Sequence, residues 1–360
     1  MTPAFFHRER EGFALRVLLS PLDLFALIYR FAVHLRAGLY RAGLLARTRV
    51  DAPVVSVGNL VVGGAGKTPV VLFLAERLLA RGRRVAVLSR GYGRRDRAER
   101  RVERDSTAEQ VGDEPLLIAR RCPGAKVYVG PRRDRLARRA IAEGADVLLL
   151  DDGFQYLALE RDLDVVVIDG ASPLGNGRLL PRGPLREPPS ALARADLGWI
   201  SKVDEGEAER VERADRLVRA QTGHGPVRSR YRIVGVVRGD LATPVPPAVW
   251  ERAPVYLFAG LARPDSFRRT VERLGMRVVG MATFADHAFF GRRDIEKLFA
   301  QAARAGAHHL VCTEKDAVRL PAEVAADSRF LAVRIEVEIV EGAERLEAAL
   351  DDLLTRGRAA

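Results

Sequence analysis

The fold of this 360-residue chain is decided by the stretch Pro53-Val-Val-Ser-Val-Gly58-Asn-Leu-Val-Val-Gly63-Gly-Ala-Gly66-Lys67-Thr68-Pro69. Its β-branched start predicts a short strand, and apolar residues spaced three and four apart predict a helix over residues 69–79. A glycine-rich loop between a strand and a helix binds phosphate, because its backbone N–H groups and the helix N-terminus point at negative charge. The stretch therefore predicts a nucleotide-binding loop.

Each residue of this loop has an expected role. The glycines let the backbone approach phosphate oxygens, Lys67 would reach the β- and γ-phosphates, and Thr68 would bind Mg²⁺. Proline suits the first turn of the helix, where its missing N–H costs nothing. The usual pattern has glycine where Val61 stands, so the motif is incomplete. The expected nucleotide-binding residues are Gly63, Gly64, Ala65, Gly66, Lys67, Thr68 and Pro69.

A second, acidic element is needed to hold the metal ion. Residues 147–150 are an apolar run that ends in Asp151 and Asp152. The carboxyl ends of parallel strands are where α/β folds bind ligands. The run from Asp164 to Asp169 has the same shape and is a rival. A turn glycine and an amide follow the first pair in Asp-Asp-Gly-Phe-Gln, and we therefore favour Asp151 and Asp152.

Composition excludes several classes of protein and leaves others open. With 48% hydrophobic and 29% charged residues, the chain is neither disordered nor a disulfide-stapled miniprotein. Cys122 and Cys312 have no metal-ligand spacing, and we interpret them as thiols in a reducing compartment. A net charge of +12 favours an anionic partner, which could be nucleic acid, a phosphorylated substrate or acidic lipid. Only five of the 59 basic residues are lysines, and this bias toward arginine can reflect coding composition rather than chemistry.

The amino-terminal region has the pattern of a helix at a membrane surface. No signal peptide is expected, and the apolar stretch 17–29 is shorter than the roughly 20 residues that span a bilayer. Residues 30–47 place arginines among aromatic and aliphatic residues, as in helices that lie at anionic lipid. A helix packed on its own domain is the alternative.

Strands predicted near 53–57, 84–88, 126–129, 146–150, 164–168 and 196–200 alternate with helices, which indicates an α/β fold. We predict a mostly parallel P-loop sheet flanked by helices, with a smaller second α/β domain joined by a two-stranded linker. The predicted boundaries are a membrane-associated helical segment 1–48, a nucleotide-binding core 49–228, linker strands in 229–244 and 329–340, a smaller domain 245–328 and a C-terminal helix 341–360.

Six motifs occur in an order that resembles one family. They are Ser56-Val-Gly-Asn with the phosphate loop, Gly112-Asp-Glu-Pro, Asp151-Asp-Gly-Phe-Gln, Leu180-Pro-Arg-Gly-Pro-Leu-Arg-Glu-Pro, Phe284-Ala-Asp-His and Thr313-Glu-Lys-Asp. Over nearly its whole length the chain resembles the tetraacyldisaccharide 4'-kinase family of lipid A biosynthesis. The resemblance implies transfer of the γ-phosphoryl group of ATP to the 4'-hydroxyl of a tetraacylated glucosamine disaccharide 1-phosphate, forming lipid IVA at the cytoplasmic face of the bacterial inner membrane.

The resemblance also implies roles for single residues. Thr68, Asp151, Asp152 and Glu187 would contact the metal ion, and Lys67 and Arg186 would neutralise the transferred phosphoryl group. Asp113 would take the proton of the sugar hydroxyl, with His287 as its partner. The implied partners are the lipid acceptor and an anionic membrane surface, with no nucleic acid and no obligate protein partner. The chain departs from the family at Tyr156 and Ala288, where the family usually has histidine.

Three other functions compete with this interpretation. A partition or metal-insertion ATPase has a similar phosphate loop, although Val62 stands where many of them have lysine. Ser201-Lys202-Val203-Asp204 is a degenerate form of the guanine-reading motif of GTPases. A nucleic-acid-binding module is suggested by charge alone, without a zinc pattern, an aromatic RNA-binding strand or a basic zipper in the sequence.

Overall fold

The structure is a computed structural model that describes residue 6 and residues 12–260, 264–285 and 289–356. Elements are numbered along the chain. The strands are β1 Val54–Gly58, β2 Val85–Ser89, β3 Arg100–Arg101, β4 Lys126–Val129, β5 Val147–Asp151, β6 Leu163–Asp169, β7 Leu197–Ser201, β8 Val227–Arg238, β9 Pro244–Val245, β10 Pro254–Ala259, β11 Arg277–Thr283, β12 His309–Thr313 and β13 Phe330–Glu341. The helices are α1 Phe13–Leu18, α2 Ser20–Arg41, α3 Lys67–Ala80, α4 Ala108–Val111, α5 Asp113–Arg121, α6 Arg133–Ala142, α7 Ala208–Thr222, α8 Pro247–Trp250, α9 Pro264–Arg273, α10 Arg292–Arg304, α11 Glu314–Ala317, α12 Ala322–Ala325 and α13 Ala343–Arg356, with a 3-10 helix at Pro189–Arg194.

The chain divides into two compact units. One, which we call the P-loop unit, comprises Thr2–Arg90, Gly124–Tyr231 and Val337–Ala360. The other, which we call the second unit, comprises Gly91–Pro123 and Arg232–Glu336. The chain passes between the units after Arg90, after Pro123, within β8 and within β13.

The P-loop unit is built on a parallel sheet with the strand order β8-β7-β6-β1-β5-β2-β4. Its central strands are buried along their whole length, which explains why they read in the sequence as continuous apolar runs. In register, Val57 of β1 lies beside Asp151 of β5. The carboxyl ends of β1 and β5 therefore meet at one edge of the sheet, together with the loops that follow them.

The predicted α/β fold with a mostly parallel sheet is confirmed. The six predicted core strands agree with β1, β2, β4, β5, β6 and β7 to within one residue at each end. Helix α3 begins at Lys67, two residues before the predicted start, because Gly66 takes the N-cap position with a φ of +86° that glycine adopts without strain. Val70, Val71 and Leu74 of this helix are buried, and the helix packs on β1, β2 and β5.

The strands of the second unit follow the order β11-β10-β12-β13-β8, with β9 antiparallel to β8. Its core is partly aromatic: the ring of Phe258 meets those of Phe290 and Phe330 edge to face, with centroids 5.5 Å and 5.8 Å apart. Such edge-to-face pairs are the preferred aromatic geometry. Helix α10 packs on β10 and β12, and α9 packs on β11.

The compact units differ from the predicted domains at one place. The sequence places residues 49–228 in a single core, but Gly91–Pro123 belongs to the second unit. The reason is that α5, within this segment, packs against α11 of that unit, and its residues Pro115, Leu116 and Ile118 are buried. Asp113 is therefore a residue of the second unit. The C-terminal helix α13 belongs to the P-loop unit.

The amino-terminal region consists of α1 and the 22-residue helix α2, which has no fully buried residue. One stripe of α2 exposes large apolar side chains at helical spacing: Leu24, Leu27, Ile28, Phe31 and Leu35. Phe31 is the most exposed of these, at 68%. Within the described residues, no helix combines the length and the apolar character that crossing a bilayer requires.

Candidate active site

The glycine loop ends at Lys67, whose ammonium group contacts two side-chain oxygens. Lys67 Nζ donates to Asn59 Oδ1 over 3.1 Å and lies 3.5 Å from Asp152 Oδ1. A Cβ atom added at Gly63 or Gly64 would meet nothing within 4 Å, so open space lies beside the loop backbone. An open, glycine-lined loop with a lysine at the start of a helix is a fitting seat for the phosphates of a nucleotide.

Below the loop, side chains from β7 and β8 hold the backbone in place. Ser201 Oγ donates to the carbonyl oxygen of Ala65 over 2.9 Å. A Cβ atom at Gly66 would clash with the hydroxyl of Tyr231 and lie 3.1 Å from Ser201 Oγ. Gly66 is thus required by close approach as well as by its positive φ.

The lysine of the degenerate GTPase motif also serves this loop. Lys202 Nζ donates to Asp169 Oδ2 over 2.7 Å and to the carbonyl oxygen of Gly64 over 3.3 Å. Asp169, the rival carboxylate of the sequence analysis, is therefore paired with Lys202 rather than with Lys67. Lys202 has a φ of +54°, which is unusual for a residue with a side chain.

The two carboxylates after β5 face different groups. Asp151 is buried, and its Oδ2 accepts a hydrogen bond from Ser89 Oγ over 2.8 Å. Asp152 Oδ1 lies 2.7 Å from Arg186 Nη1 and 3.5 Å from Lys67 Nζ. Burial by itself would raise the pKa of Asp152, but Lys67 and Arg186 outweigh burial and lower this pKa to about 2. Asp152 is consequently ionised at any physiological pH.

The structure thus brings three predicted residues together, Lys67, Asp152 and Arg186, and adds Asn59. Sequence reasoning gave Asn59 no role, although it directly follows Ser56-Val-Gly in the quoted motif. Its Oδ1 accepts from Lys67 and lies 3.5 Å from Arg186 Nη1. Its Nδ2 donates to the carbonyl oxygen of Val61, which fixes the amide orientation.

Glu187, the fourth predicted metal contact, has a different partner. Its carboxylate accepts from Arg194 Nη1 over 2.8 Å, and that guanidinium lies over the ring of Phe154 at 4.4 Å from the centroid. The preceding residue is anchored at both backbone groups: Arg186 N donates to Leu60 O, and Arg186 O accepts from the hydroxyl of Tyr29 on α2.

A magnesium–nucleotide complex fits the donor set of the loop better than a bare metal ion does. Thr68, Asp151 and Asp152 offer hard oxygen ligands, which Mg²⁺ prefers. In the described part of the chain, however, no three carboxylate, imidazole or thiolate groups converge on a common point. Mg²⁺ in nucleotide sites is usually held by one or two carboxylates together with substrate phosphates, which agrees with this arrangement.

A buried arginine lies beside these carboxylates. Arg133, the first residue of α6, is only 7% exposed, and neither its Nε nor its Nη1 has a hydrogen-bond partner among the described residues. Its guanidinium stacks on the ring of Tyr156 at 4.0 Å from the centroid. Burial lowers the pKa of Arg133, and the nearby charges of Asp152 and Asp151 oppose this effect. Such a cation is a candidate anion-binding group.

Tyr156 stands where the resembled family usually has histidine, and its hydroxyl is fixed by a hydrogen-bond network. It donates to Asp134 Oδ1 over 2.5 Å. Asp134 in turn accepts from Nε and Nη2 of Arg132 over 3.1 Å and 2.9 Å. Arg132 is therefore committed to Asp134, whereas the tyrosine ring supports Arg133.

The predicted base lies in the second unit. Asp113 opens α5 and is 5% exposed. Its Oδ2 lies 3.9 Å from Lys315 Nζ and 3.8 Å from Arg319 Nε. Its predicted partner, His287, falls outside the described residues, as does Ala288, so their pairing stays a prediction.

Comparison with known proteins identifies the family of this chain. The family model described as "Tetraacyldisaccharide-1-P 4'-kinase" matches residues 15–355. A protein of Anaeromyxobacter sp. (strain Fw109-5) named tetraacyldisaccharide 4'-kinase is 50% identical, with 98% of this chain and 95% of the relative covered. A protein of Geobacter sulfurreducens with the same name is 40% identical to this chain, with 96% of each chain covered.

A solved structure points the same way. The crystal structure of "apo" form LpxK from Aquifex aeolicus in complex with ATP superimposes with a TM-score of 0.76 at 29% identity, covering 94% of this chain and 99% of that one. The family model and both relatives span almost the whole sequence, and the chain therefore belongs to the tetraacyldisaccharide-1-P 4'-kinase family.

Proposed function

We propose that this protein transfers the γ-phosphoryl group of ATP to the 4'-hydroxyl of a tetraacylated glucosamine disaccharide 1-phosphate, forming lipid IVA. The cluster of Lys67, Asp152 and Arg186 beside an open glycine loop carries the proposal, because it collects the charges that phosphoryl transfer requires. Membership of the kinase family supplies the acceptor.

The donor is ATP with Mg²⁺, bound by the glycine loop. Thr68, Asp151 and Asp152 are the proposed metal-holding residues, with Glu187 as a further one, and the bound metal would neutralise charge on the phosphates. Lys67 and Arg186 share the carboxylate of Asp152. When a triphosphate occupies the loop, both cations can bind its oxygens and orient the transferred group, since both lie within 3.5 Å of one Asp152 oxygen beside the open loop.

Asp113 is the proposed general base. A sugar hydroxyl is a weak nucleophile, so a carboxylate that takes its proton as the new bond forms lowers the barrier. Asp113 is buried, and the two cations at its Oδ2 favour its ionised form. His287 is proposed as its partner.

Arg133 is the proposed contact for an anionic group of the acceptor. Among the arginines of the Gly130–Arg135 segment, Arg132 is committed to Asp134, and Arg135 is exposed. Arg133 is buried with two N–H groups that lack a partner among the described residues. A buried cation of this kind gains most from an anion, and the acceptor brings a 1-phosphate.

The protein is proposed to work at the cytoplasmic face of the bacterial inner membrane, as a peripheral or monotopic protein held through its amino-terminal helices. The exposed apolar stripe of α2 would enter the lipid, and the exposed arginines Arg30 and Arg41 would meet anionic headgroups. The opposite face of α2 donates from Tyr29 to Arg186 O and from Arg36 to Gln155 O. These contacts support access to a lipid acceptor next to the phosphoryl-transfer residues.

A partition-type ATPase or a GTPase is the alternative function. The Ser201–Asp204 segment is the feature that favours a GTPase, and its first two side chains are engaged with the backbone of the glycine loop. These contacts explain Ser201 and Lys202 through support of the loop, without a guanine base.

The first prediction concerns the reaction itself. In detergent micelles with Mg²⁺ and γ-labelled ATP, the purified protein should transfer label to the acylated disaccharide 1-phosphate. Excess duplex DNA should not inhibit transfer, and unlabelled ATP should compete better than GTP. Label released only as free phosphate, whether or not the acceptor is present, would instead support a P-loop ATPase.

The second prediction concerns the base. Asp113→Asn should lower kcat by roughly 10²- to 10⁴-fold, the contribution typical of general base catalysis, while the KM for ATP changes little. Glu114→Gln, one residue further along α5, is the matched control and should behave like the wild type. A parallel loss of ATP affinity in Asp113→Asn would place this carboxylate in the metal–nucleotide shell and contradict its role as base.

The third prediction concerns Arg133. Loss of a charge-assisted contact costs on the order of 10- to 100-fold in binding, so Arg133→Ala should raise the KM for the acceptor by about that factor. Arg135→Ala, on the same helix but exposed, is the control. With an acceptor that lacks the 1-phosphate, wild type and Arg133→Ala should become equal. A rise in the KM for ATP instead would assign Arg133 to the nucleotide.

The fourth prediction concerns the membrane. Replacing Leu24, Ile28 and Phe31 together by glutamate should reduce binding to vesicles of anionic phospholipid by at least ~10-fold, since each buried apolar side chain contributes about 1.5–3 kcal/mol. Val340→Glu, at an exposed apolar position of β13, should not change binding. Equal binding of the triple variant and the wild type in a flotation assay would show that α2 does not hold the protein at the membrane.

A further inference from the structure

The motif Thr313-Glu314-Lys315-Asp316 is one of the six that resemble the family, and no catalytic or binding role has been assigned to its residues. The structure places it at the end of β12 and in α11, beside α5. Two cations of this region face Asp113: Lys315 Nζ lies 3.9 Å and Arg319 Nε 3.8 Å from Asp113 Oδ2. The motif therefore surrounds the proposed base.

Arg319 is held rigidly by its neighbours. Its Nη2 donates to Asp316 Oδ1 over 2.8 Å, and its Nε donates to the carbonyl oxygen of Lys315 over 3.2 Å. The side chains of Arg319 and Asp316 are 1% and 0% exposed. Because this ion pair is dry and multiply bonded, Arg319 cannot move toward another anion without leaving a buried charge unpaired.

Asp316 is fixed in turn by the turn that carries it. Its Oδ2 accepts from Thr313 Oγ1 over 2.7 Å, and its Oδ1 accepts from the N–H of Gly260 over 3.1 Å. Thr313 caps α11 by accepting from the N–H of Asp316 over 3.2 Å. A Cβ atom at Gly260 would lie 3.2 Å from both Asp316 Oδ1 and Arg319 Nη1, so glycine is needed for this approach.

The other charged groups next to α5 have partners of their own. Glu314 accepts from Arg121 over 2.5 Å and from Arg334 over 2.9 Å. On α4, Glu109 pairs with Arg95 at 3.4 Å. Arg319 is shared between Asp316 and the base, whereas the side chain of Lys315 is partly exposed, at 25%.

We propose that Lys315 is a positioning residue for phosphoryl transfer: together with the fixed Arg319, its ammonium group keeps Asp113 ionised and holds Oδ2 so that the carboxylate can accept a proton. The inference rests on the proposed role of Asp113 as base. An ionised carboxylate that is 5% exposed loses most of its hydration, and nearby positive charge compensates for that loss.

A lysine suits this position better than an arginine. A guanidinium in the same place would form two parallel hydrogen bonds to the carboxylate and occupy both oxygens. An ammonium group at Oδ2 makes fewer contacts with the carboxylate, whose Oδ1 already accepts from the N–H of Glu114 over 3.1 Å. This difference predicts that charge and shape at position 315 act separately on the reaction.

The test compares pH profiles of kcat/KM for the acceptor in wild type, Lys315→Met and Lys315→Arg. Loss of a cation favours the protonated form of the base. When the pH is lowered, Lys315→Met should therefore lose activity at a higher pH than the wild type does. The acid limb should move up by roughly 0.5 to 1 pH unit, with most activity recovered at high pH and an unchanged KM for ATP. Lys315→Arg should leave the acid limb in place and lower kcat at every pH.

Lys297→Met, at an exposed lysine of α10 in the same unit, is the control and should match the wild type. Lys315→Gln should reproduce the shift seen with methionine, and circular dichroism melts of each variant should overlay. An unshifted acid limb in both neutral variants, or an equal loss of activity at all pH values, would overturn the inference. Asp113→Asn in the same assay separates the two claims, because wild-type kcat in that variant refutes the base itself.

Discussion

The carboxylate of Asp152 organises the charged part of the P-loop unit. Asp152 follows β5, and Lys67 and Arg186 keep it ionised. Lys67 precedes Asp152 in the sequence, and Arg186 follows it. Arg186 in turn has its backbone fixed by Leu60, next to β1, and by Tyr29 of α2. The glycine loop, the motif at residues 180–188 that contains Arg186, and helix α2 are therefore positioned relative to one anion. Without it, two cations would repel each other beside an empty loop.

The strands of this fold could be predicted from the sequence because both faces of the parallel sheet are covered. In the sequence, buried strands such as β1 and β5 are short apolar runs that end at polar residues. The glycine loop shows which of these runs lies at the centre of the sheet. The assignment of Gly91–Pro123 could not be predicted, since periodicity describes single elements and carries no information about which core a helix joins. Asp113 was recognised as important, but its unit became known only through the contact of α5 with α11.

Side chains that act through geometry were the hardest to predict. An arginine in this arginine-rich chain has little meaning by itself, and Arg132, Arg133 and Arg135 are equivalent in sequence. Burial distinguishes them: Arg132 is paired with Asp134, and Arg133 is enclosed against the ring of Tyr156. The replacement of histidine by tyrosine is visible in the sequence, but its effect depends on the hydrogen bond to Asp134, which lies 22 positions away in the chain.

Asp152 in the P-loop unit and Asp113 in the second unit each lie beside two cations, and the two clusters differ in how firmly the cations are fixed. Lys67 and Arg186 meet Asp152 next to open space, so a triphosphate can draw them to its own oxygens. Arg319 is locked to the buried Asp316, so the charge near Asp113 stays constant when substrates bind. The proposed transfer of a phosphoryl group needs both behaviours, because cations at the phosphates must follow a moving charge, whereas the proposed base must stay ionised until the hydroxyl proton reaches it.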